Sequence, residues 1–172
     1  QFLLHVQDAL AGGNAGAQVA ATLTAQGVSL STALSAQATA SVAVSDVLPT
    51  ASLQATAPTL LGPDGGTATV SVSVHNDGSA EALRLTALHL DGAAANSIDL
   101  DGQGDCSLAA AQAIAAGVSY ACSATVLIAG TSGGSRGLQF VATLQDDEHN
   151  SVVASALSTV VFDARLFADG FE

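Results

Sequence analysis

Lysine, tryptophan and methionine are absent from this 172-residue chain, and Arg84, Arg136 and Arg165 are its only fixed positive charges. Against 15 acidic residues they leave a net charge of −12. A chain with no basic stripe cannot neutralise a run of phosphates, which excludes nucleic-acid binding and makes anionic membrane surfaces and other polyanions poor partners. Aromatic residues are scarce as well, at 3%, so any core must be built from small side chains. Charged residues make up only 10%, where an ordinary soluble domain has about 25%. With 49% apolar residues the surface is unusually uncharged. Long hydrophobic runs are missing too: Ser, Thr, Gln or Gly interrupts every apolar stretch well short of the roughly 18 to 20 residues a membrane-spanning helix needs. The first residues show no basic, apolar, small-residue leader pattern, so Gln1 reads as an end left by processing or as an edge of a longer protein.

There are two cysteines, Cys106 and Cys122, 16 positions apart with no histidine near either. That spacing suits neither zinc nor a redox pair. A structural disulfide is the favoured reading, and two buried free thiols the other. A bridge closing a loop of that size contributes about 3 kcal/mol and requires an oxidising compartment.

The dominant pattern in the chain is alternation with period two. Residues 67–74, TATVSVSV, place Ala68, Val70, Val72 and Val74 on one face and hydroxyls on the other. The same pattern recurs at 38–44 (Ala38, Ala40, Val42, Val44) and at 122–128 (Cys122, Ala124, Val126, Ile128), and more loosely at 83–90, 140–144 and 157–162. Turn signals separate these runs: GPDGG at 62–66, NDG at 76–78, DG at 101–102, GG at 133–134 and DDEHN at 146–150. Short strands at this spacing predict an all-β, antiparallel β-sandwich. Residues 17–44 are rich in alanine, a helix former, but alternate Ser and Thr and a central Gly27 favour strand there. Residues 107–116 have the composition for one helical turn.

The chain also repeats itself. A shift of 121 positions carries Gly12, Gly13, Gly16, Gln18, Ala21, Thr22 and Leu23 onto Gly133, Gly134, Gly137, Gln139, Ala142, Thr143 and Leu144 without a gap. Each copy continues with a turn, expected at 25–28 and 146–150, and then a strand rich in Ser and Ala. Residues 1–47 therefore read as the closing strands of a partial repeat, 48–163 as a complete one, and 164–172 as a tail.

These features resemble the immunoglobulin-like repeats that occur in tandem in large secreted and surface proteins of bacteria. The resemblance rests on DVLP at 46–49, GPDGGT at 62–67, VHNDG at 74–78, LDGQGDC at 100–106, AGVSYAC at 116–122 and DDEHN at 146–150. Two departures are His149, where such repeats usually continue with Gly and Asn, and Ala25, Gln26 and Gly27 in place of the acids. The resemblance implies an Ig-like sandwich with structural, spacer or adhesive work outside the cytoplasm and no catalysis. The ending RLFADGFE at 165–172 is similar to a tail on secreted proteins of certain Gram-negative bacteria, which implies a secreted or surface location and Glu172 as the natural C-terminus.

Candidate chemistry is sparse. Asp99, Asp101 and Asp105 have a spacing that suggests a calcium loop, the one cofactor the sequence offers, although an ordinary Asx and Gly turn also explains it. Asp146, Asp147 and Glu148 could hold a cation or form a solvated hairpin tip. His5, His75, His89 and His149 share no metal-ligand spacing, and no nucleophile elbow or isolated carboxylate pair is present, so no enzyme is expected. Tyr120, two residues before Cys122, echoes the tyrosine corner of Ig-like sandwiches.

A repeat lacking its opening strands cannot bury the apolar faces it retains. Between Asp8 and Asp64 the one charged residue is Asp46, so charge does not guard this stretch against association. The expected strand-sharing residues are Phe2, Leu4, Val6, Val19, Ala21, Leu23, Ala38, Ala40, Val42 and Val44. The expected function is that of a subunit of a head-to-tail fibre that polymerises with itself by strand sharing. The alternatives are repeats of an adhesin stalk, whose neighbouring repeats supply the strands, and a calcium- or glycan-binding module; surface glycans would be a further partner.

Overall fold

The computed structural model describes residues 18–43, 48–78, 81–111, 113–131 and 133–164. The phenylalanine and leucine at positions 2 and 4, Val6, Val44 and the tail from 165 onward lie outside them. The chain divides into two compact units, Gln1–Leu48 and Pro49–Glu172, and among the described residues every regular element is a strand.

In the first unit, β1 (Gln18–Ser29) pairs antiparallel with β2 (Thr32–Ala43). Leu30 and Ser31 form the two-residue connection, with φ of 48° and 67°. Positive φ at both central residues is the type I′ geometry, whose twist matches that of the strands it joins. The turn expected at 25–28 is thus displaced: those residues belong to β1, and Gly27 pairs with Leu34. Moving the turn to 30–31 keeps every side chain on the same face while pairing all 12 residues of one strand with all 12 of the other. More ladder bonds form, and the apolar alternation runs unbroken through Ala25.

The second unit contains β3 (Ala51–Thr56), β4 (Leu60–Leu61), β5 (Gly65–Asn76), β6 (Arg84–Asp91), β7 (Ile98–Asp99), β8 (Ser119–Ala129), β9 (Ser135–Gln145) and β10 (Ser151–Phe162). They form a five-stranded sheet, β4-β10-β9-β6-β7, and a three-stranded sheet, β3-β5-β8. All pairings are antiparallel except β4 with β10. Alternation decides what is buried: Ala68, Val70, Val72 and Val74 of β5 and Cys122, Ala124, Val126 and Ile128 of β8 lie inside, as read from the sequence. The other sheet contributes Leu85, Leu88 and Leu90, then Leu138, Phe140, Ala142 and Leu144, and Val160 and Phe162.

The loose pattern at 83–90 has a physical cause. Leu85 faces Leu144 and Ala87 faces Thr143, so one extra residue sits in β6. This bulge shifts the alternation by one and allows both Leu85 and Leu88 to point inward. The alanine-rich segment after Cys106 forms consecutive tight turns (Ala110 N–H to Ser107 O, 3.2 Å; Ala111 N–H to Leu108 O, 3.1 Å).

Candidate functional site

Hairpin β1–β2 has one apolar and one polar face. Its register places Val19, Ala21, Leu23 and Ala25 on one face together with Ala36, Ala38, Ala40 and Val42. The opposite face is polar: Thr22 and Thr39 hydroxyls lie 3.4 Å apart, and Gln37 Nε2 donates to Thr24 Oγ1 at 3.3 Å. No residue from 18 to 43 is charged. Leu23 is 55% exposed, and Ala38 and Ala40 are exposed beside it. A lone two-stranded hairpin is marginal in water, and one with an apolar face is strongly driven to cover it.

Of the residues expected to share strands, six therefore converge on one hairpin face: Val19, Ala21, Leu23, Ala38, Ala40 and Val42. The 121-residue shift that carries Leu23 onto Leu144 also carries β1 onto β9, and the partner of β9 is β10. In that second hairpin the matching face is core: Phe140, Ala142 and Leu144 are fully buried, covered on one side by β6 and from above by the three-stranded sheet.

The disulfide reading is correct. Cys106 and Cys122 are bonded, with Cα atoms 4.9 Å apart. The bridge ties the 99–108 loop to β8, and the loop covers part of that strand's outer edge: Asp105 N–H donates to Ser123 O at 3.0 Å, and Ser123 N–H donates back to Asp105 Oδ1. Gly104, at φ 64°, lies so close to β8 that a Cβ there would fall 2.2 Å from Ser123 O. Tyr120 fastens the same loop, its hydroxyl accepting from Ser107 N–H at 2.8 Å and donating to Ser107 O at 3.1 Å. In this way the loop protects part of an edge strand that would otherwise be open.

The three acids of the expected calcium loop are occupied in building that turn. Asp99 Oδ1 accepts from Asp101 N–H at 3.0 Å, Asp101 Oδ1 accepts from Leu108 N–H at 2.9 Å, and Asp105 binds Ser123. They do not converge on a common point. A different acidic group does: single carboxylate oxygens of Glu81, Asp146 and Glu148 all lie within 4.8 Å of one another. The sequence pointed to the last two, but Glu81 joins them only through the packing of β6 against β9.

One arrangement missed in the sequence is a hydroxyl–imidazole–carboxylate chain across β5 and β8. His75 Nδ1 lies 2.9 Å from Ser119 Oγ, and His75 Nε2 lies 3.6 Å from Asp77 Oδ1. His75 and Ser119 are a directly paired cross-strand couple, so the contact follows from register. It lies on the solvent face, with the histidine and aspartate side chains each 39% exposed, and the imidazole–carboxylate separation exceeds a hydrogen bond. Cross-strand pairing accounts for this surface network.

No protein-family model matches the chain, and a search of curated proteins finds no significant match.

Proposed function

We propose that this is a non-catalytic structural protein of the bacterial cell exterior, built from Ig-like sandwiches in tandem, in which hairpin β1–β2 closes a sandwich whose opening strands come from an adjoining repeat. The observation that carries this reading is the exposure of Leu23, Ala38 and Ala40 on the hairpin's apolar face, where Leu23 is the counterpart of the buried Leu144 of β9. What such a hairpin needs can be read from the second unit: an edge like that of β6 beside it and a three-stranded sheet above it. In the second unit that position is already filled by β9 and β10, so another copy of the chain offers no vacancy of the same kind. A stalk or spacer of consecutive repeats supplies one, and the disulfide suits an oxidising exterior.

The test follows from the repeat. Joining residues 49–132 directly to residue 12 creates two complete repeats, because position 12 corresponds to position 133. In this chimera the backbone amides of 18–43 should exchange with solvent as slowly as those of β9 and β10, whereas in the 172-residue chain they exchange fast. Equally fast exchange in both proteins would refute the reading.

A second reading, fibre formation by strand addition between copies, is supported by one further observation. β10 pairs with β4 only at Val161 and Phe162, and the rest of the strand is uncharged and carries the exposed Val153 and Leu157. Natural edges are normally guarded by charge, proline or a bulge. On this reading, electron microscopy of the purified chain shows regular fibres, and deletion of residues 1–47 abolishes them while residues 48–163 stay folded.

A further inference from the structure

At one end of the sandwich, two loops bring acids together. Asn76, buried at the end of β5, donates from Nδ2 to the carbonyls of Glu81 at 2.7 Å and Ile114 at 2.8 Å, and accepts from Gly78 N–H at 2.9 Å. These bonds fix the backbone at Glu81. Across the sheet, Asp146 organises the turn from β9 to β10: its Oδ1 accepts from Asn150 N–H at 2.8 Å, and its Oδ2 accepts from Asn150 Nδ2 at 3.0 Å. His149 occupies a φ of 72° in that turn, a conformation that glycine adopts at least cost. Held this way, Glu81, Asp146 and Glu148 each contribute an oxygen to a cluster no wider than 4.8 Å.

Two features separate this cluster from an ordinary acidic turn. Asp146 is only 6% exposed, although it is a carboxylate at a hairpin tip. Glu148 Oε2 is fully enclosed and meets no hydrogen-bond donor. A buried carboxylate oxygen without a partner is costly, and gathering its carboxylate with two others adds repulsion. Either a shared proton or a cation relieves both. Every converging atom is a carboxylate oxygen, the donor type hard cations select. Two ligands of a single calcium ion, each about 2.4 Å from it, stand at most about 4.8 Å apart. The three oxygens lie within that limit.

We propose that Glu81, Asp146 and Glu148 form a calcium site that ties the loop after β5 to the turn between β9 and β10. The three carboxylates supply the charge, and water or nearby carbonyls complete the six to eight oxygens calcium takes. Extracellular modules bind calcium at about 0.1 to 1 mM, which makes the site a stiffener in calcium-containing surroundings rather than a sensor. This assignment is independent of how the hairpin finds its partner.

The experiment uses the full chain after chelation, titrated with calcium chloride in a calorimeter and melted with and without millimolar calcium. The expected result is one ion per chain and a thermal midpoint raised by several degrees, both lost in Glu148→Gln. That variant removes the enclosed charge and keeps the shape, so it should melt no lower than the wild type in chelator. No heat and no shift would overturn the site. So would a melt that ignores calcium but rises on acidification, which would assign the relief to a shared proton. Calcium binding that survives Glu148→Gln and disappears in Asp101→Asn would move the ion to the 99–105 loop and overturn the assignment equally.

Discussion

Hairpins β1–β2 and β9–β10 carry one pattern and have opposite fates. Gln18, Ala21, Thr22 and Leu23 recur as Gln139, Ala142, Thr143 and Leu144, and in both hairpins the apolar residues share a face. Leu144 is 0% exposed whereas Leu23 is 55% exposed. The difference lies in what surrounds them: β9 has β6 at its edge and a second sheet across the core, whereas among the described strands β1 pairs with β2 alone. An apolar face encoded in a strand states a requirement that only other strands can meet.

The sharpest way to break this comparison is to truncate the same leucine in both copies. Leu144→Ala should destabilise the second unit by about 2 to 5 kcal/mol in denaturant unfolding, as expected for a buried leucine. Leu23→Ala in the same chain should cost less than about 0.5 kcal/mol, because little is lost where little is buried. Similar effects at both positions would mean that the first hairpin is covered in solution. Replacing Cys106 and Cys122 by serine should cost about 3 kcal/mol, read as a lower midpoint of the second unit, with exchange of the 18–43 amides unchanged. Tyr120→Phe leaves the ring and removes both bonds to Ser107, and a loss of about 1 to 2 kcal/mol is expected. The smallest effect is expected in the first hairpin's turn. Leu30→Asn with Ser31→Gly matches the positive φ at both positions and should slow amide exchange in 18–43, by less than about 1 kcal/mol.

Much of the second unit could be read directly. The strands over 67–74 and 122–128, their inward residues and the disulfide follow from period two and from cysteine spacing, which are local properties. The first hairpin was legible as strands but not in its turn, because Leu30 and Ser31 carry no turn signature and their conformation is imposed by the register of 12 paired residues. The bulge at Thr86 was visible only as a weakened alternation. At the acidic loop the sequence showed the right atoms and the wrong use, since Asp99, Asp101 and Asp105 bond backbone amides within the turn and against β8. Glu81 could not have been grouped with Asp146 and Glu148 in advance: 65 and 67 positions separate them, and the contact exists only because β6 lies beside β9.

The sequence by itself determined that the chain is all-β and which face of each regular strand is apolar. Side chains alternate along an extended backbone whatever lies beyond it, so this information is carried within a few residues. Tertiary structure alone decided that one copy of the repeated hairpin is core and the other is surface, and which carboxylates meet. Burial and convergence are properties of elements far apart in the chain, and no local pattern fixes how distant strands are placed.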